Sequence, residues 1–438
     1  IEVRGGSAQT LEVRSTGNGP LLPDLPGSPP LSVRWAGAQP GAGSGFAPLL
    51  EASLAADADG FRDALRDHRE PMLAVAYADA SGAAGVKVAG YVPRRSLSSK
   101  LVPLPGRARW YQWRERVPFE SLPSVRLADA RSWLIAADAP FEVRGGESME
   151  WLWQGGARAA RVDALLEQAT REGRVGLRQM ADLQGDVGVE RASRVIARAT
   201  ALVQERTLGT QAAEVEHLLD GWDGRAQSDS ASAAAYYVFL NELLESLLQE
   251  RVGSELLHRY LALPQTDPEQ IALELLESAQ SAPDPGQRAV VSDAVERSLK
   301  ASWLSLSYRL GANARRWAWG ALHPLRFRGL DAGPDRDDPE GLGPYEYGGS
   351  SGTVSAASYD FAAPFEVRMA STVRLVVDLG SPGQALAAIA PGESEHPGHV
   401  NRDDGLRHWL EGRAWLFATD ALLVEDGSVA RLDLEPVR

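Results

Sequence analysis

The sequence predicts an α+β fold, on three observations. Strand-like runs open the chain, a long helical block follows, and strand-like runs return at the end. An apolar fraction of 44% and twelve tryptophans in 438 residues match a packed globular chain and not a disordered one. Glycine and proline punctuate the two strand-rich ends and thin out in the middle. On this reading residues 1–145 are strand-rich, 146–312 helical, and 313–438 a loop followed by returning strands. The closing strands are expected to rejoin the opening sheet, so that 1–438 is one intertwined unit.

Taken in order, "IEVR" (1–4) and "TLEVR" (10–14) alternate like two strands around the turn-prone Gly5-Gly6-Ser7. "LSVRW" (31–35), "LAVAYAD" (73–79) and "VKVAGYV" (86–92) follow, the last two joined by the turn "ASGAAG". In "AAYYVFLNELLESLLQERV", apolar residues at 236, 239, 240, 243, 244, 247 and 248 have the one-sided spacing of a helix packed on a core. "TDPEQIALELLESAQ" starts a helix: Asp267 caps, Pro268 suits the first turn, and Gln270 completes a capping box. A helix over 286–303 ends near Gly311, and a Gly/Asp/Pro-rich loop covers 328–352. Strands return at 372–379 and 413–424. Glu-Val-Arg recurs at 2–4, 12–14, 142–144 and 366–368, at irregular spacing that marks strand composition and not a repeat.

Composition excludes several functions. A net charge of −14 repels phosphates, so nucleic acid is not an expected partner. No apolar run reaches the ~20 residues of a membrane span. With no cysteine, disulfides, thiolate catalysis and Cys-ligated zinc are out.

Few stretches advertise chemistry on their own. "GESEHPGHVNRDDGLRHWLEG" (392–412) places His396, His399, Asp403 and His408 together, residue types that bind divalent metals. The Pro-Gly context does not fix ligand geometry, and a polar surface loop leading into a short helix is the simpler reading. "GAQPGAGSGF" (37–46) matches neither a phosphate-binding loop nor a dinucleotide fingerprint. Serine hydrolysis through a nucleophile elbow is not expected, the serines of "SSGTVS" and "GESEH" being read outside that frame. Trp222, Trp317, Trp319 and His323, taken singly, read as core or scaffold.

Together, these pieces resemble the β-subunit of the penicillin acylase family, the N-terminal-nucleophile amidases. The landmarks are Trp222-Asp223-Gly224 with its Ser/Ala-rich helix and Trp317-x-Trp319-Gly320-x-x-His323. Next come Gly348-Gly349 with Thr353-Val354, then Arg374 and Asp378-Leu379, and the closing "GESEHPGHVNRDDGLRHWLEGR". "AYADASG…GYVPRR" (76–95) and "WYQWRERVPFESLP" (110–123) are similar in the same order. The resemblance covers essentially the whole chain. It implies part of a four-layer αββα sandwich with a large helical insertion, and amide hydrolysis of a small acyl-amide substrate.

In that family the β-subunit begins with a Ser, Thr or Cys whose own α-amine is its base. By resemblance, Ile1 is not that nucleophile. The chain is then expected to begin partway through the β-subunit, with the nucleophile, the backbone oxyanion donor and the α-subunit upstream, and to be inert alone. Export to the periplasm is the family's usual arrangement. The resemblance places a site arginine on Arg158, in "WLWQGGARAARVDALLEQ" (151–168), to orient substrate or polar network through its fork of donors. It places Glu147 at an acidic calcium ligand of some members; the chemistry itself requires no cofactor, and Glu147 alone cannot supply six or more oxygens.

One departure is chemical. "WLIAADAPFE" (133–142) stands where the family carries an Ala-Asn-Asn-type motif whose asparagine amide donates to the oxyanion. Motif register puts Asp138 at that amide, and counting back from Arg158 puts Ala136 there. An ionised carboxylate ~3 Å from an oxyanion costs about 5 kcal/mol at an effective dielectric near 20. Losing one donor costs ~3–4 kcal/mol of barrier. A protonated Asp138 would still donate. Glu393 and Glu395 replace the usual Gln and Gly of the closing motif, and Asn401-Arg402 the usual His-Tyr. A divergent amidase and a relative kept for binding or scaffolding both fit these departures.

Overall fold

The structure, a computed structural model, describes residues 1–23, 28–39, 45–95, 102–113, 115–127, 132–137, 155–173, 175–263, 266–329, 341–381 and 383–428. The chain falls into two compact units, residues 1–136 with 140–151, and residues 137–139 with 152–438.

In the first unit, β1 (Ser15–Thr16) and β2 (Gly19–Pro20) form a two-residue ladder. The expected strands 1–4 and 10–14 do not form. The turn does, with Gly6 N–H donating to Val3 O at 3.0 Å, and Ile1 bonds Gln9 through both backbone polar groups. Residues 1–17 are all exposed, so their alternation has no face to bury. Among the described residues "LSVRW" contributes one isolated bridge, Ser32 to Leu21, and no strand. Two helices that the strand-rich reading did not place follow, α1 (Phe46–Ser53) and α2 (Ala58–Ala64); Asp57 caps α2 by accepting from Gly60 N at 2.8 Å. Then β3 (Leu73–Ala78), β4 (Ala84–Ala89) and β5 (Ser124–Arg126) make an antiparallel sheet in that order. Asp79 holds the β3–β4 turn, accepting from Ser81 N at 2.8 Å. β4 is the buried strand, and Lys87 in its middle is only 2% exposed. Its Nζ donates to Phe119 O and Leu122 O at 2.7 and 2.9 Å and lies 4.2 Å from the Phe119 ring centroid. Burial pulls its pKa down to about 8.

The second unit is built on helices: α3 (Ala157–Glu172), α4 (Leu177–Gln184), α5 (Ala192–Val203), α6 (Thr210–Asp220), α7 (Ala231–Val252), α8 (Ser254–Leu261), α9 (Pro268–Ser281) and α10 (Pro285–Leu310). α7 is not one-sided along its length. Residues 233–240 are buried without a break, and one-sided burial starts only at Leu243. A helix apolar all round is a central helix, and α6, α9 and α10 pack against it. Asp267 caps α9 as expected, accepting from Gln270 N at 3.0 Å. The box is not completed, because Gln270 Nε2 donates forward to Glu274 at 2.7 Å. α10 ends at Gly311, whose φ of 89° releases the chain from the helix.

The rest of this unit carries α11 (Trp319–Leu322), β6 (Pro324–Phe327), β7 (Leu342–Glu346), β8 (Ala357–Ser358), β9 (Met369–Ala370), β10 (Val373–Val377), β11 (Gln384–Ile389), α12 (Leu406–Leu410), β12 (Trp415–Ala418) and α13 (Ala421–Gly427). Among the described residues β10, β11 and β12 pair with one another as an antiparallel sheet in that order. The predicted strand 413–424 stops at Ala418, because Asp420 caps α13 by accepting from Leu422 N and Leu423 N. No helix among the described residues is long and apolar enough to cross a membrane.

Candidate functional site

The arginine that the family resemblance singles out lies at the start of α3. Gly156, at φ 72°, turns the chain into the helix, and Arg158 is its second residue. Arg158 is half-buried, and burial lowers its pKa below the ordinary guanidinium value. It lines a cavity of about 40 Å³ together with Ala137, Gly155, Tyr237, Glu269 and Tyr359. That is room for roughly one water.

The walls are held by charge. Asp267 Oδ2 accepts from Arg191 Nη1 at 2.5 Å and from Gly155 N at 3.0 Å, and Arg191 Nη2 donates to Gly155 O. Glu269, next to the cap of α9, is 7% exposed. Burial and then the Asp267 charge push its carboxyl up to about 7, against the pull of Arg191. Tyr236, Tyr237 and Tyr359 surround it electrostatically, and burial raises each phenol well above its usual value. Their hydroxyls have no hydrogen bond of standard geometry among the described residues. Behind them Trp319 stacks on Tyr237 and on His323, both at 4.4 Å. His323 Nδ1 lies 2.5 Å from Phe365 O, and burial holds its pKa near 4, so the ring is neutral. Further along α3, Arg161 grips Asp186 with Nε to Oδ1 at 2.8 Å and Nη2 to Oδ2 at 3.0 Å, and Arg225 adds a third bond at 3.0 Å. Burial would raise the Asp186 pKa, but these bonds and the Gly188 N–H outweigh it and leave the carboxyl below its ordinary value.

This arrangement of landmarks has a counterpart among known proteins. Residues 1–424 match the penicillin amidase family. The chain belongs to that family. Among the curated relatives, the acyl-homoserine lactone acylase QuiP of Pseudomonas fluorescens is 24% identical over 384 residues, covering 83% of this chain and 46% of the relative. The penicillin acylase 2 proenzyme of a Pseudomonas species is 27% identical over 188 residues, 42% of this chain and 24% of the relative. The chain thus spans about half the length of the first of these relatives or less. Among solved structures, the thermostable penicillin G acylase of Alcaligenes faecalis superposes with a TM-score of 0.68 at 16% identity, over all of this chain and 81% of that one. That likeness shows the fold, the α+β N-terminal-nucleophile hydrolase fold expected above.

Within the penicillin amidase frame, the aromatic landmarks are scaffold. Trp317 and Trp319 are buried, and Trp319 Nε1 donates to Gly349 O at 3.0 Å. Gly320 has no room for a side chain: a Cβ would meet Glu346 Cβ at 2.8 Å and Ser228 Cβ at 3.0 Å. Arg374 is buried under Trp409, donating to Trp409 O and Tyr347 Oη, both at 3.1 Å.

Gly348-Gly349-Ser350-Ser351-Gly352 does carry the letters Gly-x-Ser-x-Gly, against the expectation that this frame is missing. It is not an elbow. Ser350 is 2% exposed, no helix begins after it, and its Oγ accepts from Gly352 N at 3.3 Å.

The histidine loop is a surface loop. His396 and His399 are exposed, His399 Nδ1 accepts from Asn401 N at 3.2 Å, and His408 lies in α12. Among the described residues no three His, Asp or Glu side chains are grouped to hold a metal. Asp138 and Glu147 lie outside the described residues. The sequence reading missed Arg191 and Glu269 as site residues and saw Asp267 only as a cap. The available signal was Asp-Pro-Glu at a helix start, which places two carboxylates within three residues.

Proposed function

We propose that this chain is the downstream, major part of an N-terminal-nucleophile amidase that hydrolyses an acyl amide bond. One observation carries the reading: Ala137, beside Asp138, lines the same cavity as Arg158, 21 residues on. The two segments that resemble the family's oxyanion and arginine motifs therefore meet at one place. On this reading an upstream Ser, Thr or Cys attacks the carbonyl carbon, its hydroxyl or thiol proton passing to its own α-amine and then to the leaving amine. Water releases the acid from the acyl-enzyme. Arg158 contributes a fixed fork of donors that orients the substrate or the polar groups around it. An α-subunit and the first part of the β-subunit are the partners, and the periplasm is the compartment.

The substrate class we favour is an N-acyl-homoserine lactone, since relatives of that name match over about four-fifths of the chain. Penicillins are the competing class. The test is incubation of the processed full-length protein with N-acyl-homoserine lactones and with penicillin G, following amine release by mass spectrometry. Release that disappears when the terminal nucleophile is changed to Ala supports the reading. The lack of asparagine at 136–139 favours a second reading, a binding protein that has lost turnover. Absence of release with retained lactone binding would establish that second reading and remove the first.

A further inference from the structure

The entry to α3 is held by more than a local cap. Asp267 and Arg191 lie 112 and 36 residues from Gly155, yet their ion pair closes on both backbone polar atoms of that one residue. The carboxylate takes the Gly155 N–H, and the guanidinium takes the Gly155 carbonyl. Oδ1 of the same carboxylate caps α9 through Gln270 N at 3.0 Å. Asp267 therefore ties the start of α9 and the start of α3 to Arg191, the residue preceding α5. Gly155 is shaped for this. A Cβ there would lie 2.5 Å from Asp267 Oδ2 and 2.7 Å from Arg191 Nη2. The pair is mostly shielded, with side chains 11% and 19% exposed. Asp284, by comparison, caps α10 by bonding Gly286 N of its own first turn at 2.9 Å.

Helix initiation alone does not call for a distant ion pair on both faces of one peptide residue. Three residues beyond Gly155 stands Arg158, in the cavity that Gly155, Arg191 and Asp267 also line. We propose that the Asp267–Arg191 pair is a positioning device for Arg158, clamping Gly155 so that α3 enters the cavity at one fixed place. The inference rests on the reading of Arg158 as a site residue. It adds Asp267 and Arg191 as the groups that act through it. A misplacement of about 1 Å at a reacting centre costs on the order of a hundredfold in rate, so such a clamp has a kinetic signature.

The test uses the processed full-length protein, with an N-acyl-homoserine lactone as substrate. Asp267→Asn keeps an oxygen able to cap α9 but removes the charge that binds Arg191 and Gly155 together. D267N should lower kcat/KM about 10- to 100-fold, and its crystal structure should show Gly155–Arg158 displaced from the wild-type position. Asp284→Ala, which removes a cap far along the sequence, should lower the melting temperature and leave kcat/KM unchanged. Wild-type kinetics in D267N, an equal kinetic loss in D284A, or an undisplaced Arg158 in the D267N crystal would each overturn the clamp. Arg158→Met separates the two layers. Full activity in R158M removes the role of Arg158 and the clamp with it, whereas an inactive R158M beside a fully active D267N removes the clamp alone. Should the full-length protein turn over no substrate, the two crystal structures still decide whether the pair fixes Arg158.

Discussion

The N-terminal turn of α9 and the loop 392–412 are both short polar stretches with clustered ionisable groups, and they behave in opposite ways. In the loop, three histidines and two adjacent aspartates look like metal chemistry, yet the histidine side chains of His396 and His399 stand in solvent. At the start of α9, Asp267 and Glu269 look like ordinary helix-start acids, yet Asp267 is largely shielded against Arg191 and Glu269 lies buried among three tyrosines, both on the lining of a cavity. The difference is desolvation. A charge in water is nearly indifferent to its neighbours, whereas a buried one must be paired, hydrogen-bonded or neutralised. Residue type suggested the loop; burial selects the helix start.

The largest effect that sharpens this contrast is expected on the buried side. Asp186→Ala leaves Arg161 and Arg225 without their shared carboxylate and should destabilise the protein by about 3–5 kcal/mol in urea unfolding.

Next comes the pH dependence set by Glu269. Its folded pKa of about 7 exceeds the ordinary 4.5, so the native state binds more protons than the unfolded state across that window. This contribution to stability is present below pH 4.5 and is lost as pH rises through 7. Glu269→Gln abolishes it, so the stability of E269Q minus that of wild type should rise by on the order of 3 kcal/mol from pH 4.5 to pH 7.5. His323, lowered from 6.5 to about 4, acts with the opposite sign between those values, which makes the variant difference and not the wild-type curve the quantity to measure. A flat difference would place the Glu269 carboxyl in contact with water.

Gly155→Ala is a smaller steric probe. The added methyl collides with the Asp267–Arg191 pair and should cost about 1–3 kcal/mol, read as a lowered melting temperature. Smallest of all, the double substitution of His396 and His399 by Ala should change stability by less than about 0.5 kcal/mol, and added zinc or EDTA should leave the melting temperature where it was. A metal-dependent shift that the substitutions erase would reverse the comparison.

What the sequence disclosed divides along the same line. The helices α7, α9 and α10 were legible from spacing and, for α9, from its cap, because helix formation is written locally, although α10 was read over 286–303 and runs over Pro285–Leu310. The enclosure of residues 233–240 was not legible, since which faces are covered depends on helices far along the chain. Alternation in residues 1–14 suggested strands that lack a partner face, and the run 413–424 hid the cap at Asp420 that ends its strand. Arg158, singled out by the family resemblance, lies on the lining of the candidate cavity. Arg191 and Glu269 were not singled out, because their meaning comes from partners 76 residues apart, as in the Arg191–Asp267 bond, and from a dielectric that no local pattern encodes.

The most direct measurement is a crystal structure of the processed full-length protein with the acid product of an N-acyl-homoserine lactone bound. The product carboxylate is expected at the opening of the cavity lined by Ala137 and Arg158. A product bound elsewhere, with that cavity closed by protein alone, would contradict the assignment of the site.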